Sequence, residues 1–210
     1  MTLESSKTLG GIGAILMFVG IFPFISYYGI VELVGAVLIL VGLHGLASYY
    51  RESGIFNQAI YGVLVGIVGG IIAGVAAVVS VLASFTNLLH QIYPGWNGDW
   101  ATLQGMTPNT TNLDTSTIFP LVAGILAVLV IVWIVAIIAA FFIWRSLKQV
   151  SNKSNVGLFG TAGLLLLIGA IIPIFGLILM WISALLLAIA FFTMKAHEQP
   201  MVAAPAPPLV

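Results

Sequence analysis

The chain has no cysteine, so disulfides, thiol nucleophiles and cysteine-ligated zinc or iron–sulfur sites are excluded. Charge is nearly as scarce: Asp, Glu, Lys and Arg make up 6% of the 210 residues, against about 25% in soluble domains. Six basic and six acidic residues cancel, which removes the field expected of a nucleic-acid binder. Hydrophobic residues make up 61% of the chain, and 23 glycines add to them. Too few polar side chains are left to cover a globule in water. The composition is that of a membrane protein, with the lipid bilayer as its first partner.

Reactive constellations are missing too. His44, His90 and His197 are scattered over helix, loop edge and tail, with no HExxH spacing and no clustered carboxylates for a metal. Gly10-Gly11-Ile12-Gly13 lacks the preceding strand and the spacing of a phosphate loop, so these glycines are read as packing residues. Asp99 and Asp114 share one polar loop, where solvated carboxylates are the plainer reading than a general acid/base pair. The expectation is a non-enzymatic protein with no catalytic residues, no cofactor and no metal.

A spanning helix needs about 20 mainly apolar residues. Charge-free runs broken by turn residues predict six: 9–24, 30–49, 57–89, 117–144, 156–173 and 176–194. Two short hairpins then flank two long central helices, an all-α polytopic bundle over residues 1–198, with a Pro-rich tail at 199–210 expected to be extended or disordered. A cleaved signal peptide is rejected at the start, because Ser26-Tyr27-Tyr28-Gly29 is no cleavage pattern and a second span follows at once. Lys7, Arg51, Arg145, Lys148, Lys153 and Lys195 all fall on one side of such a bundle. By the positive-inside rule both termini are cytoplasmic and the 90–116 loop lies outside the cell membrane. Tyr27, Tyr28, Tyr93, Trp96 and Trp100 fit the outer aromatic belt, and Tyr49, Tyr50, Tyr61 and Trp144 the inner one.

Gly62, Gly66, Gly70 and Gly74 recur every four residues on the third helix, a glycine-zipper pattern of overlapping GxxxG units. Small residues let helix backbones approach closely in lipid, so this stripe predicts a packing seam. The fourth helix, with Ala123, Gly124 and Ala127, is its natural partner. A homo-oligomer contact and a pore lining are the other readings. The two short hairpins also align weakly, Gly10 with Gly160, Gly13 with Gly163 and Pro23 with Pro173 at a shift of 150, and Gly29 with Gly176 at 147. Chance coincidence in glycine-rich helices is an equal explanation.

Two ionisable residues fall within the spans, both on the second helix. Glu32 sits in its first turn, where the helix dipole favours a carboxylate, and it shares a face with Gly35, Ile39 and Gly42. His44 lies about 18 Å further along, so the two cannot touch. Both are kept as candidates for an ion or proton site, against plainer interfacial roles. Asn109-Thr110-Thr111 makes Asn109 a candidate glycosylation acceptor in the outer loop.

Leu3-Glu4-Ser5-Ser6-Lys7-Thr8-Leu9-Gly10-Gly11-Ile12-Gly13-Ala14 resembles the start of an uncharacterised multi-pass membrane family, domain of unknown function 996. Gly42-Leu43-His44-Gly45-Leu46 through Tyr49-Tyr50, Gly54-Ile55-Phe56-Asn57, Ala59-Ile60-Tyr61-Gly62 and Ala188-Ile189-Ala190-Phe191-Phe192 are similar to it as well. The outer loop and tail are not covered. The resemblance implies an archaeal source and no activity, cofactor or functional residue. The functional expectation is an accessory or scaffold subunit, associated with other membrane subunits or with itself. The alternative is a small channel or transporter for protons, ions or a small solute.

Overall fold

The computed structural model describes residues 2–20, 29–109 and 115–195, with side chains of the last segment described from 118. Among the described residues six α-helices follow one another: α1 (Leu3–Gly20), α2 (Ile30–Tyr50), α3 (Ser53–Ile92), α4 (Thr115–Ser154), α5 (Gly157–Ile171) and α6 (Pro173–Thr193). A 3-10 helix, Trp100–Gly105, lies between α3 and α4. No strand occurs among the described residues. The Pro-rich tail lies outside them.

Four of the helices, α2, α3, α4 and α6, are long and apolar enough to cross a membrane. α5 is apolar but has 15 residues, about 22 Å, and α1 carries Glu4 and Lys7 in its first two turns. The protein is embedded in a membrane through these apolar helices.

The helix bounds differ from the hydropathy boundaries, because charge ends an apolar run without ending a helix. α4 continues past Trp144 through Arg145, Lys148 and Lys153 to Ser154, since Arg and Lys are good helix formers. It stops where Asn155 takes a left-handed backbone, φ 55°. α1 starts at Leu3 rather than Leu9, its polar first turns accommodated by Ser6 and Thr8 hydroxyls that donate to the carbonyls of Thr2 and Glu4. Pro173 opens α6 instead of closing α5, because a proline is tolerated at the first helical position, where its missing N–H has no partner to lose. Only Ile172 separates the two helices.

α2 ends in a Schellman motif: Glu52 N–H donates to Ala47 O at 2.9 Å and Arg51 N–H to Ser48 O at 3.3 Å. Arg51 occupies the left-handed position, φ 52°, that glycine usually fills. This reverses the chain into α3.

Each helix packs on its chain neighbours, and α6 returns to α1, closing a ring. The contacts run antiparallel throughout. Gly10 lies against Gly42 and Gly13 against Gly35 and Ile39, while Gly62 faces Ala139 and Ile143, and Gly69 faces Val135. Phe18 stacks on Trp181, centroids 4.8 Å apart, and Gly10 sits under Phe191 at the other end of the α1–α6 contact. The fully buried core, Leu43, Leu46, Ile55, Leu147, Val150, Phe159 and Phe191, lies near the end that carries the α2–α3 and α4–α5 turns.

Polar groups tie neighbouring helices of the ring together. Ser146 Oγ donates to Ile55 O at 2.6 Å, Ser183 Oγ to Ala162 O at 2.7 Å, and Trp133 Nε1 to Ala170 O at 2.8 Å. Such bonds are worth about 1 kcal/mol in lipid, because the unfolded chain also finds partners. Ser146→Ala is therefore expected to lower folding stability by about 1 kcal/mol, read as a shift in unfolding under mixed detergent. Ser151→Ala, on a half-buried residue whose hydroxyl makes no hydrogen bond among the described residues, serves as the near-neutral comparison.

α3 and α4 outrun the base. Trp133 meets the last turn of α5, and Val135 opposite Gly69 sets the level on α3. Beyond it, α3 continues for about 20 residues, close to 30 Å, with α4 alongside. Gly124 faces Ser80 there, but Ile71, Ile72, Val75, Val78, Val79 and Leu82 on α3 stay exposed, as do Phe119, Leu126 and Leu129 on α4.

Candidate functional site

The residues singled out by sequence lie at three levels of the bundle. Glu32 is in the first turn of α2, as expected, half-buried, with its carboxyl group lying over Gly20 at the end of α1. Gly35, Ile39 and Gly42 continue the same face and are buried against α1. The carboxylate thus caps the top of the α1–α2 seam. His44 lies at the opposite end of α2, exposed, its ring edge-on to Phe56 of α3 at 4.6 Å. The two residues share a helix and no site.

The glycine stripe divides. A Cβ on Gly62 would meet Ala139 O at 2.9 Å, and one on Gly66 would stand 3.9 Å from the Ala139 methyl. Gly70 and Gly74 have nothing within 4 Å of that position and do not enter the seam. Residues Gly62, Gly66, Gly69 and Ala73 line the α3–α4 contact instead; Ala73 is fully buried. Helical geometry explains the correction. A strict spacing of four advances about 40° per step relative to the helix face, so three steps carry the stripe about 120° out of the contact. Alternating spacings of four and three keep it on one side.

The aligned glycines of the two hairpins occupy unlike surroundings. Gly13 meets backbone of α2, whereas Gly163 meets Trp144 and Leu147 of α4. Gly29 is exposed at φ 77° with open space around it, whereas Gly176 is pressed against Gly169 O. Pro23 lies outside the described residues.

The 90–116 loop is folded rather than loose where it is described. Trp96 is buried, donates its Nε1–H to Asp99 O at 2.7 Å, and packs on His90 and Trp100 at 4.9 and 5.3 Å. Asp99 Oδ1 accepts from Ala101 N at 3.0 Å, capping the 3-10 helix. Its carboxylate is committed to the loop's own backbone. Asp114 lies outside the described residues. Asn109 is exposed and its N–H donates to Ile92 O at 2.7 Å, tying the loop back to the end of α3; the rest of its sequon lies outside the described residues.

The interior offers little chemistry. A cavity of about 110 Å³ between α1, α2, α3, α4, α5 and α6 is lined by Met17, Leu43, Val63, Ile143 and Leu187, with Ser183 the polar contributor. That hydroxyl is already bonded to Ala162 O. Sequence reading missed the serine and tryptophan cross-links because a lone Ser or Trp in an apolar run carries no pattern; only the facing carbonyl gives it a role.

A family model described as Protein of unknown function (DUF996) matches residues 31–191, from the first turn of α2 almost to the end of α6. No curated protein and no solved structure matches the chain.

Proposed function

The chain belongs to the DUF996 family, and from its helix geometry we propose that it is an accessory or scaffold subunit of a membrane complex, with no enzymatic role. The carrying observation is the projecting α3–α4 hairpin. α2 is 21 residues long, about 32 Å, which matches a hydrocarbon layer of about 30 Å. The hairpin extends close to another 30 Å and presents Val75, Val78, Val79 and Leu82 on its surface. A patch of that kind marks an interaction surface. A partner subunit covers it in this reading.

Orientation follows from charge. Lys7, Arg51, Arg145, Lys148, Lys153 and Lys195 gather at the end opposite the projection, whereas Glu32 and Asp99 lie towards the other end. With the basic end in the cytoplasm, all six helices act as spans, the termini are inside and the hairpin tip with its aromatic cap is outside. The apolar cavity supports a scaffold over a conduit. The transport reading rests on Glu32 above the α1–α2 seam; a Glu32→Gln variant that abolishes proton-coupled flux in liposomes would decide for it.

A photoreactive phenylalanine analogue placed at Val78 or Leu82 tests the scaffold directly. In native membranes both positions are expected to crosslink to one partner protein of fixed stoichiometry, whereas Leu185, on the exposed face of α6, crosslinks to lipid. Lipid adducts alone at Val78 and Leu82 would sink the proposal.

A further inference from the structure

Two hollows open at the basic end of the bundle, one at each turn between a hairpin and a long helix. The first lies between the end of α2 and the start of α3, is lined by His44, Ser48, Arg51, Ser53 and Asn57, and encloses about 360 Å³. The second lies between the end of α4 and the start of α5, is lined by Trp144, Lys148, Ser151, Asn152 and Thr161, and encloses about 330 Å³. Each holds one lysine or arginine, one asparagine, two hydroxyls and one Phe or Trp ring, Phe56 in the first and Trp144 in the second, and the first adds the His44 imidazole. The same chemistry is assembled twice from unrelated stretches of sequence.

Charge at this end is unbalanced. Its two carboxylates among the described residues are already paired, Glu4 with Lys7 at 3.6 Å and Glu52 with Lys153 at 3.2 Å. Arg51 and Lys148 have no carboxylate among the described residues; Lys148 lies over the Trp144 ring at 5.0 Å. Ser53, Asn57, Ser151 and Asn152 likewise make no side-chain hydrogen bond within the described chain. Each hollow therefore presents a cation together with amide and hydroxyl donors that await an acceptor. An anion fits both.

The hollows are also amphipathic. The first adjoins an apolar furrow between α2 and α3, formed by Val37, Leu40 and Val41, with His44 and Phe56 lining both. From Arg51 to Val37 is 14 residues, about 21 Å along the helix. The second hollow ends on Leu164, with Phe141 exposed beyond Trp144. A ligand that fits has an anionic head of several oxygens and a long apolar tail.

We propose that these hollows are two specific sites for anionic phospholipid of the leaflet at the basic end, the phosphate held by Arg51 in one and Lys148 in the other, with an acyl chain along the furrow. The proposal rests on the membrane setting of the basic end. It is independent of the accessory role, so failure here leaves the crosslinking result at Val78 and Leu82 untouched. Juxtamembrane cations attract anionic leaflets, and the loss of one is expected to weaken binding about fivefold.

The test is native mass spectrometry of the full chain in mild detergent, with phosphatidylglycerol or phosphatidylcholine added at equal concentration. Wild-type protein is expected to retain two phosphatidylglycerol molecules and no phosphatidylcholine. Arg51→Gln and Lys148→Gln are each expected to weaken one site about fivefold, and the double variant both. Arg145→Gln is the control, because Arg145 lies at the same end over the Phe141 ring at 5.8 Å and lines neither hollow; it is expected to retain both lipids. Equal loss in Arg145→Gln, or equal retention of phosphatidylcholine, would mean diffuse attraction and overturn the proposal. A second measurement needs no variant: inorganic phosphate added to the wild-type complex is expected to leave the lipid bound. Displacement by phosphate would make the hollows free-anion sites and overturn the lipid assignment.

Discussion

Gly42→Val is expected to lower folding stability by about 3 kcal/mol or more, placing it among the most damaging single changes in the chain. A Cβ at Gly42 would lie 2.8 Å from Gly10 Cα, 2.9 Å from Gly10 N and 2.9 Å from Ser6 O. All three are backbone atoms, so no rotamer change relieves the collision and α1 must move away from α2. Separation forfeits the whole seam, because Gly13 and Gly35 are equally close to each other's backbone. In lipid that loss is decisive, since helices there associate through close packing rather than by hiding apolar surface. Gly74→Ala is the contrasting case. Nothing lies within 4 Å of its Cβ position, and alanine is the better helix former by about 1 kcal/mol. Steric-trap or detergent unfolding of the two variants should give opposite signs; a neutral Gly42→Val would mean that α1 and α2 do not pack in this register.

Phe191→Ala is expected to cost about 3 kcal/mol by opening the ring between α1 and α6. Phe191 is fully buried, meets Phe159 edge to face at 5.0 Å, and its ring covers Gly10. Removing it leaves a void whose walls lose their dispersion partners. The neighbouring glycine provides a sharper test. Gly10→Leu alone is destabilising, because its side chain would occupy the space of the Phe191 ring. Combined with Phe191→Ala it fills the void, so the double variant should be more stable than the sum of the two single effects by about 1–3 kcal/mol. Additive effects would show that Gly10 and Phe191 do not share a contact.

Composition and hydropathy made the membrane class and the order of the α-helices legible, because apolar runs are a local property, although four of the helices, not six, have both the length and the apolarity of a span. Glu32 in the first turn of α2 and the buried face Gly35, Ile39, Gly42 were legible for the same reason, being set by helical spacing alone. Helix ends were less so. Arg145 stops an apolar run and leaves the helix intact, since propensity and hydropathy are different quantities. The glycine stripe was half legible. A spacing of four marks small residues but says nothing about the partner's crossing, so Gly69 and Ala73 took the places expected of Gly70 and Gly74.

By itself, the sequence determined the solvent this protein lives in, the order of the α-helices among the described residues and the gathering of its cations at one end; each follows from residue type and chain direction alone. Tertiary structure decided the rest. The ring closure by Phe191 and Trp181, the serine cross-links, the folded aromatic cap around Trp96 and the paired hollows at Arg51 and Lys148 all join residues from different helices or loop turns. Their geometry depends on which helix faces which, and that is fixed by close backbone packing between elements far apart in the chain.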